Sequence, residues 1–410
     1  MSVKIRFAII GFGHIGKRHA EMVRRDPDAE LVAVCDIVNQ DTSTFGVPFF
    51  NSAEAMFDSG LEFDVVNVCT PNGLHAEHAM AAIQRGKHVV VEKPMALSKA
   101  DCERLIHAGL AKSVNIFCVM QNRYSPPAKW LKEVVDGGLL GDTYMVQLNC
   151  YWNRDDRYYK KGGWKGSSDL DGGTLFTQFS HFVDIMYWVF GDISDIQGKF
   201  ADFCHQESTD FEDSGMVTFR FLRGGIGCIN YSTAVWDRNM ESSITVTGSN
   251  GALKIGGQYM NEVEVCNITN YEMPELAPTN PGNDYGPYKG SAANHNYVIT
   301  NVIDTLKGRT SPTTNMGPTS KPTTSSTKAG LRPSKSSLAR MAMCARKSAS
   351  VTALDRTGLA KKLTRPTKIG ECTSRMMVRS GLRHDVTNRM AGTFYLQICS
   401  VHASIQSCDP

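Results

Sequence analysis

The sequence has 410 residues, of which 41% are hydrophobic and 21% are charged, and its formal net charge is +3. This composition is typical of a globular protein of two or three domains, because a chain of this length buries a large apolar core. No run of eighteen apolar residues occurs, and the N-terminus lacks the cleavage site of a secretory signal. We therefore expect no membrane span and a cytoplasmic location.

The charged residues divide unevenly along the chain. Residues 1–315 contain 28 Lys+Arg against 37 Asp+Glu, whereas residues 316–410 contain 16 against 4. The larger part is acidic and gives no indication of nucleic-acid binding. Twelve cysteines are scattered without a CxxC pair, which argues against a disulfide framework or a zinc module. We accordingly expect no metal site.

Strands alternate with helices in the first 122 residues. Helical stretches are expected at 15–25, 73–85 and 98–112. Apolar runs predict strands at 4–10, 31–36, 63–69, 87–91 and 115–120. Because these strands are apolar throughout, the pattern indicates a parallel sheet that is covered on both faces. Residues 1–122 are predicted to form a doubly wound α/β domain.

The pattern changes after residue 122, where strands follow one another without intervening helices. Helices are expected at about 127–137, 172–190 and 292–307. The predicted strands are 143–152, 193–203, 214–222, 225–234 and 242–248. Such an order is typical of a mostly antiparallel sheet. Residues 123–315 are therefore predicted to form an α+β domain that binds substrate and mediates oligomerisation.

A glycine motif follows the first predicted strand and opens the first helix. It reads Gly11-Phe12-Gly13-His14-Ile15-Gly16. Asp36 stands at the end of the second strand, where a carboxylate can accept hydrogen bonds from a ribose diol and repel a 2′-phosphate. The glycines allow the backbone to approach a pyrophosphate at the helix N-terminus. The motif predicts an NAD site, against the alternative of a plain glycine turn.

Polar residues follow other strands of the predicted parallel sheet. Cys69-Thr70-Pro71-Asn72 ends one strand, and Glu92-Lys93-Pro94 ends another. Ligand crevices in open α/β sheets lie at the carboxyl ends of the strands, so these residues are expected to line a cleft. A strand-end lysine considered alone is more often a solvated surface charge.

A histidine stands within the helical stretch of the second domain. His181 is followed three residues later by Asp184, which is expected to share its helix face and orient its imidazole. Thr177 lies one turn earlier. A single helical histidine is more often a structural group than a catalytic one, so this segment decides little by itself.

Together, GFGHIGKRH, CTPNGLHAEHA, VVVEKPMAL and GG…H-x-x-D resemble the Gfo/Idh/MocA family of NAD(P)-dependent sugar oxidoreductases over roughly residues 4–315. The resemblance implies a Rossmann domain, a homodimer or homotetramer, and Lys93 and His181 as catalytic residues at the hydride-transfer site. Many members carry Asp at the position of Thr177, and here Gln178 follows it. The usual Lys–Asp–His trio of the family is therefore incomplete in this chain. The residues expected to bind the cofactor are Gly11, Gly13, His14, Ile15, Gly16, Asp36, Thr70, Pro71, Asn72, His75, Glu92, Lys93 and Gln121.

The second domain is similar to one branch of that family. Segments such as YMVQLNCYWNRDDRYY and DGGTLFTQFSHFVD resemble the UDP-N-acetylglucosaminuronate 3-dehydrogenases, which oxidise a sugar C3 hydroxyl in bacterial surface-polysaccharide pathways. The implied substrate residues are Lys93, Asn122, Arg123, Trp164, Thr177, Gln178 and His181. Further candidates for binding the anionic groups or the uridine are Arg154, Arg157, Tyr158, Lys161, Lys165, Tyr285, Lys289 and His295.

Other functions stay open at this point. A dehydrogenase of a free sugar or cyclitol is the alternative within the same class. A non-catalytic sugar and NAD sensor is the alternative from a different class, and the presence of both Lys93 and His181 favours the enzyme.

The last segment, residues 316–410, differs in character from the rest. It contains 24 Ser+Thr and no sustained apolar period, which is typical of a disordered basic tail. Family members usually continue after a Thr-Thr-Asn segment with a short terminal helix, yet Thr313-Thr314-Asn315 is followed here by unrelated sequence. We favour a reading-frame shift near 315–320 over a native extension that binds acidic partners.

Overall fold

The computed structural model describes residues 3–310, so the predicted tail from residue 316 onward lies outside the described residues. None of the helices within the described range is both long and apolar enough to cross a membrane. The cytoplasmic location stays a prediction.

The first sheet contains six strands, all of whose pairings are parallel. They are β1 (Ile5–Ile10), β2 (Ala29–Cys35), β3 (Phe49–Phe50), β4 (Val65–Val68), β5 (His88–Val91) and β6 (Ile116–Cys118), and the helices between them are α1 (His14–Arg25), α2 (Ala53–Phe57), α3 (His75–Gln84) and α4 (Lys99–Lys112). The strand order is 3-2-1-4-5-6, so its direction reverses beside β1. The predicted doubly wound parallel sheet is confirmed, and its reversal point is where a ligand crevice forms.

The second sheet contains seven strands in the order 13-12-11-7-10-9-8. They are β7 (Thr143–Tyr151), β8 (Ile193–Ala201), β9 (Ser214–Phe221), β10 (Ile226–Ser232), β11 (Glu241–Gly248), β12 (Gly251–Gly256) and β13 (Glu262–Ile268). Every pairing is antiparallel except that of β7 with β10, which confirms the mostly antiparallel sheet. The sequence analysis did not predict β12 and β13, although the valines of β13 alternate with glutamates, a pattern typical of a half-buried strand.

Helices cover one face of this sheet. They are α5 (Pro126–Asp136), α6 (Thr174–Thr177) and α7 (Ser180–Phe190), so the single helix expected over 172–190 is two helices. Phe179 and Phe182 pack against the inward side chains of the strands in one apolar core. The opposite face exposes large apolar side chains, with Met145 39% and Met216 63% exposed. The expected homo-oligomer stays a prediction.

The chain returns to the first sheet after β13. A hairpin is formed by β14 (Gly282–Asp284) and β15 (Lys289–Ala292), and α8 (His295–Leu306) follows it. The division at residue 123 assigns α8 to the second domain. Its apolar residues Val298 and Val302 nevertheless pack with Phe7 and Ile9 of β1 in the core of the first sheet.

Replacing Ile303 by alanine tests this packing. Ile303 is buried in the same core, so Ile303→Ala should lower the free energy of unfolding by about 2–5 kcal/mol through lost burial and the cavity that remains. Asn296→Ala on the exposed face of the same helix is the control and should change it by less than about 0.5 kcal/mol. Urea unfolding measures both, and equal effects would show that α8 does not stabilise the core.

Candidate active site

A cavity of about 540 Å³ lies at the carboxyl ends of the first sheet, with its other wall formed by the second domain. The sequence-predicted residues that line it are Gly11, Gly13, His14, Ile15, Asp36, Thr70, Pro71, Asn72, His75, Glu92, Lys93, Gln121, Trp164, Thr177, Gln178 and His181. The predicted residues Gly16, Asn122 and Arg123 are not in its lining. The fold thus brings both proposed catalytic residues to one space.

The three motif glycines meet different requirements. Gly11 has a φ of +88°, and a Cβ there would lie 2.6 Å from the carbonyl carbon of Cys69. A Cβ on Gly16 would lie 2.0 Å from the carbonyl oxygen of Gly11, so Gly16 supports the turn from behind and does not face the cavity. A Cβ on Gly13 would meet no atom within 4 Å, and Gly13 lines the cavity. Gly13 is therefore the position at which a ligand can approach the backbone.

The N-terminus of α1 and Asp36 complete this end of the cavity. Gly13 provides no side-chain cap to α1, and the first turn contains no acidic residue, so its positive end is left for an anion. The Asp36 carboxylate accepts hydrogen bonds from the amides of Phe12 at 2.7 Å and Val38 at 2.9 Å, which fix it beside the turn. A pyrophosphate at α1 and a ribose diol at Asp36 would match these groups.

Lys93 projects from the end of β5 toward the second domain. Its ammonium donates a hydrogen bond to the carbonyl oxygen of Thr177. Burial lowers the pKa of Lys93, while the carboxylates of Glu92 and Asp171 act to raise it. Glu92 itself lies 2.9 Å from His19 and 3.6 Å from His295, so the predicted cofactor residue Glu92 is engaged with two buried histidines.

Thr177 connects Lys93, which bonds to its carbonyl oxygen, to a carboxylate that the sequence analysis missed and that bonds to its hydroxyl. Thr177 Oγ1 donates a hydrogen bond to the carboxylate of Asp171 and accepts one from Asn72 Nδ2 at 2.8 Å. Asp171 is fully buried, and burial raises the pKa of its carboxyl group. The hydrogen bonds from the Thr177 hydroxyl and the Gly166 amide and the charges of Lys93 and Lys165 act to lower that pKa. The carboxyl group of Asp171 therefore lies behind Thr177, which occupies the position where many family members carry Asp. No motif spacing in the sequence predicted this role for Asp171.

The predicted role of Asp184 is wrong. Its two carboxylate oxygens accept hydrogen bonds from the guanidinium of Arg123 at 2.7 and 2.6 Å, in a buried bidentate pair. Asp184 therefore does not orient His181, and the same pair keeps Arg123 out of the cavity. Asn122 is also engaged elsewhere, since its Oδ1 accepts a hydrogen bond from Ser291 at 2.6 Å.

Several buried polar atoms in the cavity wall have no hydrogen-bond partner among residues 3–310. They are His181 Nδ1, His295 Nδ1, Gln121 Oε1 and Gln178 Nε2. Buried polar atoms are normally paired, so these four indicate that the cavity receives a polar ligand. Burial, together with the charge of Lys93, holds the pKa of His181 well below its ordinary value. The imidazole is therefore neutral and able to accept a proton.

His75 has a structural position within the lining. One ring nitrogen lies 2.7 Å from the carbonyl oxygen of Pro94, and the other lies 2.8 Å from that of Thr70. The ring thus joins the loops that follow β4 and β5, and it contributes to the site by holding Lys93 in position.

Cations and tyrosines also line the cavity. Lys165 Nζ lies 3.9 Å from the ring centroid of Tyr158 and 2.9 Å from the hydroxyl oxygen of Tyr288. Burial and the neighbouring Arg154 lower the pKa of Lys165 to about 8. Arg154 also lines the cavity, but it donates hydrogen bonds to protein oxygens, including Gln178 Oε1 at 2.6 Å.

The other basic and aromatic candidates are distributed unevenly. Tyr285 and His295 line the cavity. Arg157, Lys161 and Lys289 are not in its lining, and Arg157 instead pairs with Asp155 at 2.7 Å.

Two models of protein families match the chain. One, described as an oxidoreductase family with an NAD-binding Rossmann fold, matches residues 5–119, and the other, the GFO/IDH/MocA C-terminal domain, matches residues 129–254. The solved WlbA dehydrogenase from Bordetella pertussis, in complex with NADH and UDP-GlcNAcA, is 31% identical, with a TM-score of 0.66 over 76% of this chain and 91% of that chain. The chain belongs to the Gfo/Idh/MocA family of oxidoreductases.

Further similar proteins agree with this membership. WlbA from Chromobacterium violaceum, also solved with NADH and UDP-GlcNAcA, is 28% identical, with a TM-score of 0.68 over 77% of this chain and 89% of that chain. The myo-inositol 2-dehydrogenase of Thermotoga maritima is 27% identical over 266 residues, which are 61% of this chain and 74% of that protein. The predicted family, enzyme class and cofactor are confirmed, and the protein is an NAD-dependent sugar or cyclitol oxidoreductase.

Two alanine substitutions separate the roles of the glycines. Gly13→Ala adds a Cβ to open space beside the cofactor path, so the protein should fold normally while NAD affinity falls by about tenfold or more. Gly16→Ala forces the Cβ against a backbone oxygen and should cost about 1–3 kcal/mol of stability. Calorimetric titration with NAD and thermal unfolding measure the two effects. A Gly13→Ala protein that binds NAD as tightly as wild type would contradict the assignment.

Proposed function

We propose that this protein oxidises the C3 hydroxyl of UDP-N-acetylglucosaminuronate, or of a closely similar nucleotide sugar, with NAD as the oxidant. The observation that carries the proposal is a single cavity that is lined by Lys93 and His181 and also by Lys165 and several tyrosines. Two relatives that are 31% and 28% identical were solved with NADH and UDP-GlcNAcA, which supports this substrate class.

The residues that would hold the cofactor fit it chemically. The open backbone at Gly13 and the uncapped start of α1 suit a pyrophosphate, and the Asp36 carboxylate suits a ribose diol. NAD, when bound, supplies the acceptor for the hydride that leaves the sugar carbon.

His181 and Lys93 act on the sugar hydroxyl. The imidazole of His181 accepts the hydroxyl proton, because burial keeps the ring neutral in the free site and one of its ring nitrogens is unpaired. The Lys93 ammonium donates a hydrogen bond to the same oxygen and stabilises the negative charge that develops there. The Thr177 carbonyl and the Asp171 carboxylate behind it favour the charged form of Lys93 and fix its direction.

The part of the cavity lining around Lys165 would receive the nucleotide part of the substrate. Lys165 offers a cation to a diphosphate or a carboxylate, and the rings of Tyr158, Tyr288 and Trp164 offer flat apolar surface to a uracil base. The predicted substrate contact by Gln178 is consistent with its unpaired Nε2. Arg123 and Asn122 take no part in this arrangement, because their side chains are engaged outside the cavity.

A free cyclitol is the second candidate substrate. The 27% identity to a myo-inositol 2-dehydrogenase favours it, since the two chains align over 266 residues. A cyclitol has no anionic group for Lys165 to bind, so the two substrates predict different consequences of removing that cation.

Replacing Lys93 by methionine tests the catalytic role. Lys93→Met removes the hydrogen-bond donor to the reacting oxygen, so turnover of UDP-N-acetylglucosaminuronate should fall by about 100-fold or more. Lys112→Met, at the exposed end of α4, is the matched control and should keep wild-type activity. NADH absorbance measures turnover, and calorimetry should show NAD binding in all three proteins. A Lys93→Met protein with near wild-type turnover would refute this role.

The pH dependence of substrate binding tests Lys165. Since its pKa is about 8, the ammonium is present at pH 7 and is lost as the pH rises to 9. We expect kcat/KM for the nucleotide sugar to fall between pH 7 and pH 9 in the wild type. The fall should be larger than any fall of kcat/KM in the Lys165→Met protein over the same range. The Lys165→Met protein should have a raised KM at pH 7. If the two proteins have parallel pH profiles, or if Lys165→Met lowers kcat/KM more for myo-inositol than for the nucleotide sugar, the cyclitol is favoured instead.

A further inference from the structure

A second cluster of reactive side chains lies in the loop between β8 and β9, outside the lining of the cavity. Cys204 and His205 are consecutive, and Asp213 approaches them from the other end of the loop. His205 is 4% exposed and Asp213 is 1% exposed, whereas Cys204 is exposed. A thiol, an imidazole and a carboxylate are three side chains that bind Zn²⁺ in proteins.

The three potential donor atoms form a small triangle. Cys204 Sγ lies 3.6 Å from His205 Nδ1 and 3.5 Å from Asp213 Oδ2, and Nδ1 lies 3.2 Å from Oδ2. With bonds of about 2.3 Å to sulfur and about 2.0–2.1 Å to nitrogen and oxygen, a tetrahedral Zn²⁺ separates such donors by about 3.3–3.6 Å. We propose that Cys204, His205 and Asp213 bind one Zn²⁺ ion.

The orientation of the histidine supports this site. His205 Nε2 faces the backbone carbonyl oxygen of Arg154, to which it can only donate. With the ring proton there, the lone pair of Nδ1 points at Asp213 Oδ2, and two lone pairs at 3.2 Å require a proton or a cation between them. A metal-bound histidine commonly donates its other ring N–H to a backbone carbonyl in this way.

The carboxylate is held in place as well. Asp213 Oδ2 accepts hydrogen bonds from the amides of Phe203 and Cys204, each at 2.9 Å, and Oδ1 accepts one from Ser214 Oγ at 2.8 Å. These bonds fix the carboxylate before any metal arrives, as bonds from outer residues do at metal sites. The sequence analysis expected no metal site, because an adjacent Cys and His followed eight residues later by Asp match none of the usual zinc spacings.

The charges and donor types favour Zn²⁺ over Mg²⁺ or Ca²⁺. A thiolate and a carboxylate balance the two charges of the ion, and sulfur with imidazole nitrogen disfavours the hard cations, which prefer oxygen. Binding releases the thiol proton to solvent. The exposed Cys204 leaves the fourth position open to water.

The site would stabilise a wall of the active-site cavity. Asp210, in the same loop, donates its amide to the Gly166 carbonyl at 2.9 Å and accepts the Ser168 amide at 2.9 Å. The Glu212 carbonyl accepts a hydrogen bond from Thr174 at 2.6 Å. The ion would therefore hold the loop that supports the segment next to Trp164 and Lys165, without touching the reacting groups.

Cobalt substitution tests the proposal on the full chain, freed of any affinity tag and stripped with a chelator. Wild type and Cys266→Ser, a control at a half-buried cysteine of β13, should show the thiolate-to-Co²⁺ absorption of a tetrahedral site. Cys204→Ser should lose it and bind Zn²⁺ at least about tenfold more weakly. Zinc chloride should raise the melting temperature of the first two proteins and not of the third.

The difference between variants is the deciding measurement, since residues 316–410 also contain cysteines. Absence of the absorption in wild type, or equal absorption in Cys204→Ser, would overturn the site. Circular dichroism and NAD titration of Cys204→Ser show whether it is folded. If it is not folded, Cys204→Ala takes its place in the comparison with wild type, because Cys204 is exposed and a methyl group there disturbs the loop little.

Discussion

The contact between Asn72 and the segment 171–177 is the interaction on which the active site depends. Asn72 follows β4 of the first sheet, and its amide donates to the Asp171 carbonyl and the Thr177 hydroxyl, both at 2.8 Å. Gly73 continues the contact, since a Cβ there would lie 2.1 Å from the Asp169 carbonyl oxygen. This close approach brings the second domain over the strand ends, and only then do Lys93 and His181 share one cavity.

Features that depend on local sequence were predictable. The apolar strands, the glycine turn and Asp36 each follow from periodicity or from the steric needs of a few neighbouring residues, and the parallel sheet and its ligand edge follow from them. The strands β12 and β13 were not predicted, and they extend the sheet by pairing with β11 and with each other. The alternation of valine and glutamate in β13 was a local indication of a strand that the sequence analysis did not use.

Features that depend on distant partners were not predictable. Asp184 was expected to serve His181 on its own helix, yet the buried Arg123, 61 residues earlier in the chain, takes both of its oxygens. A buried guanidinium needs acceptors for its N–H groups, and the bidentate pair that Asp184 forms with Arg123 outweighs a neighbour on the helix face. Asp171 was missed for the same reason, since its importance comes from Thr177, Lys93 and Asn72 together.

Because α8 returns to the first sheet, the second domain is an insertion in the first. The chain passes into the second domain and back out of it at neighbouring positions. The entering segment carries Gln121, Asn122 and Ser125, and the leaving segment carries Ser291 and Asn294. The two are hydrogen-bonded to each other, since Asn294 Nδ2 donates to Ser125 Oγ at 3.0 Å and Ser291 donates to Asn122 at 2.6 Å. Paired crossings of this kind act as one hinge. Rotation about it would separate Asn72 from Thr177 and open the cleft, while both domains keep their cores intact.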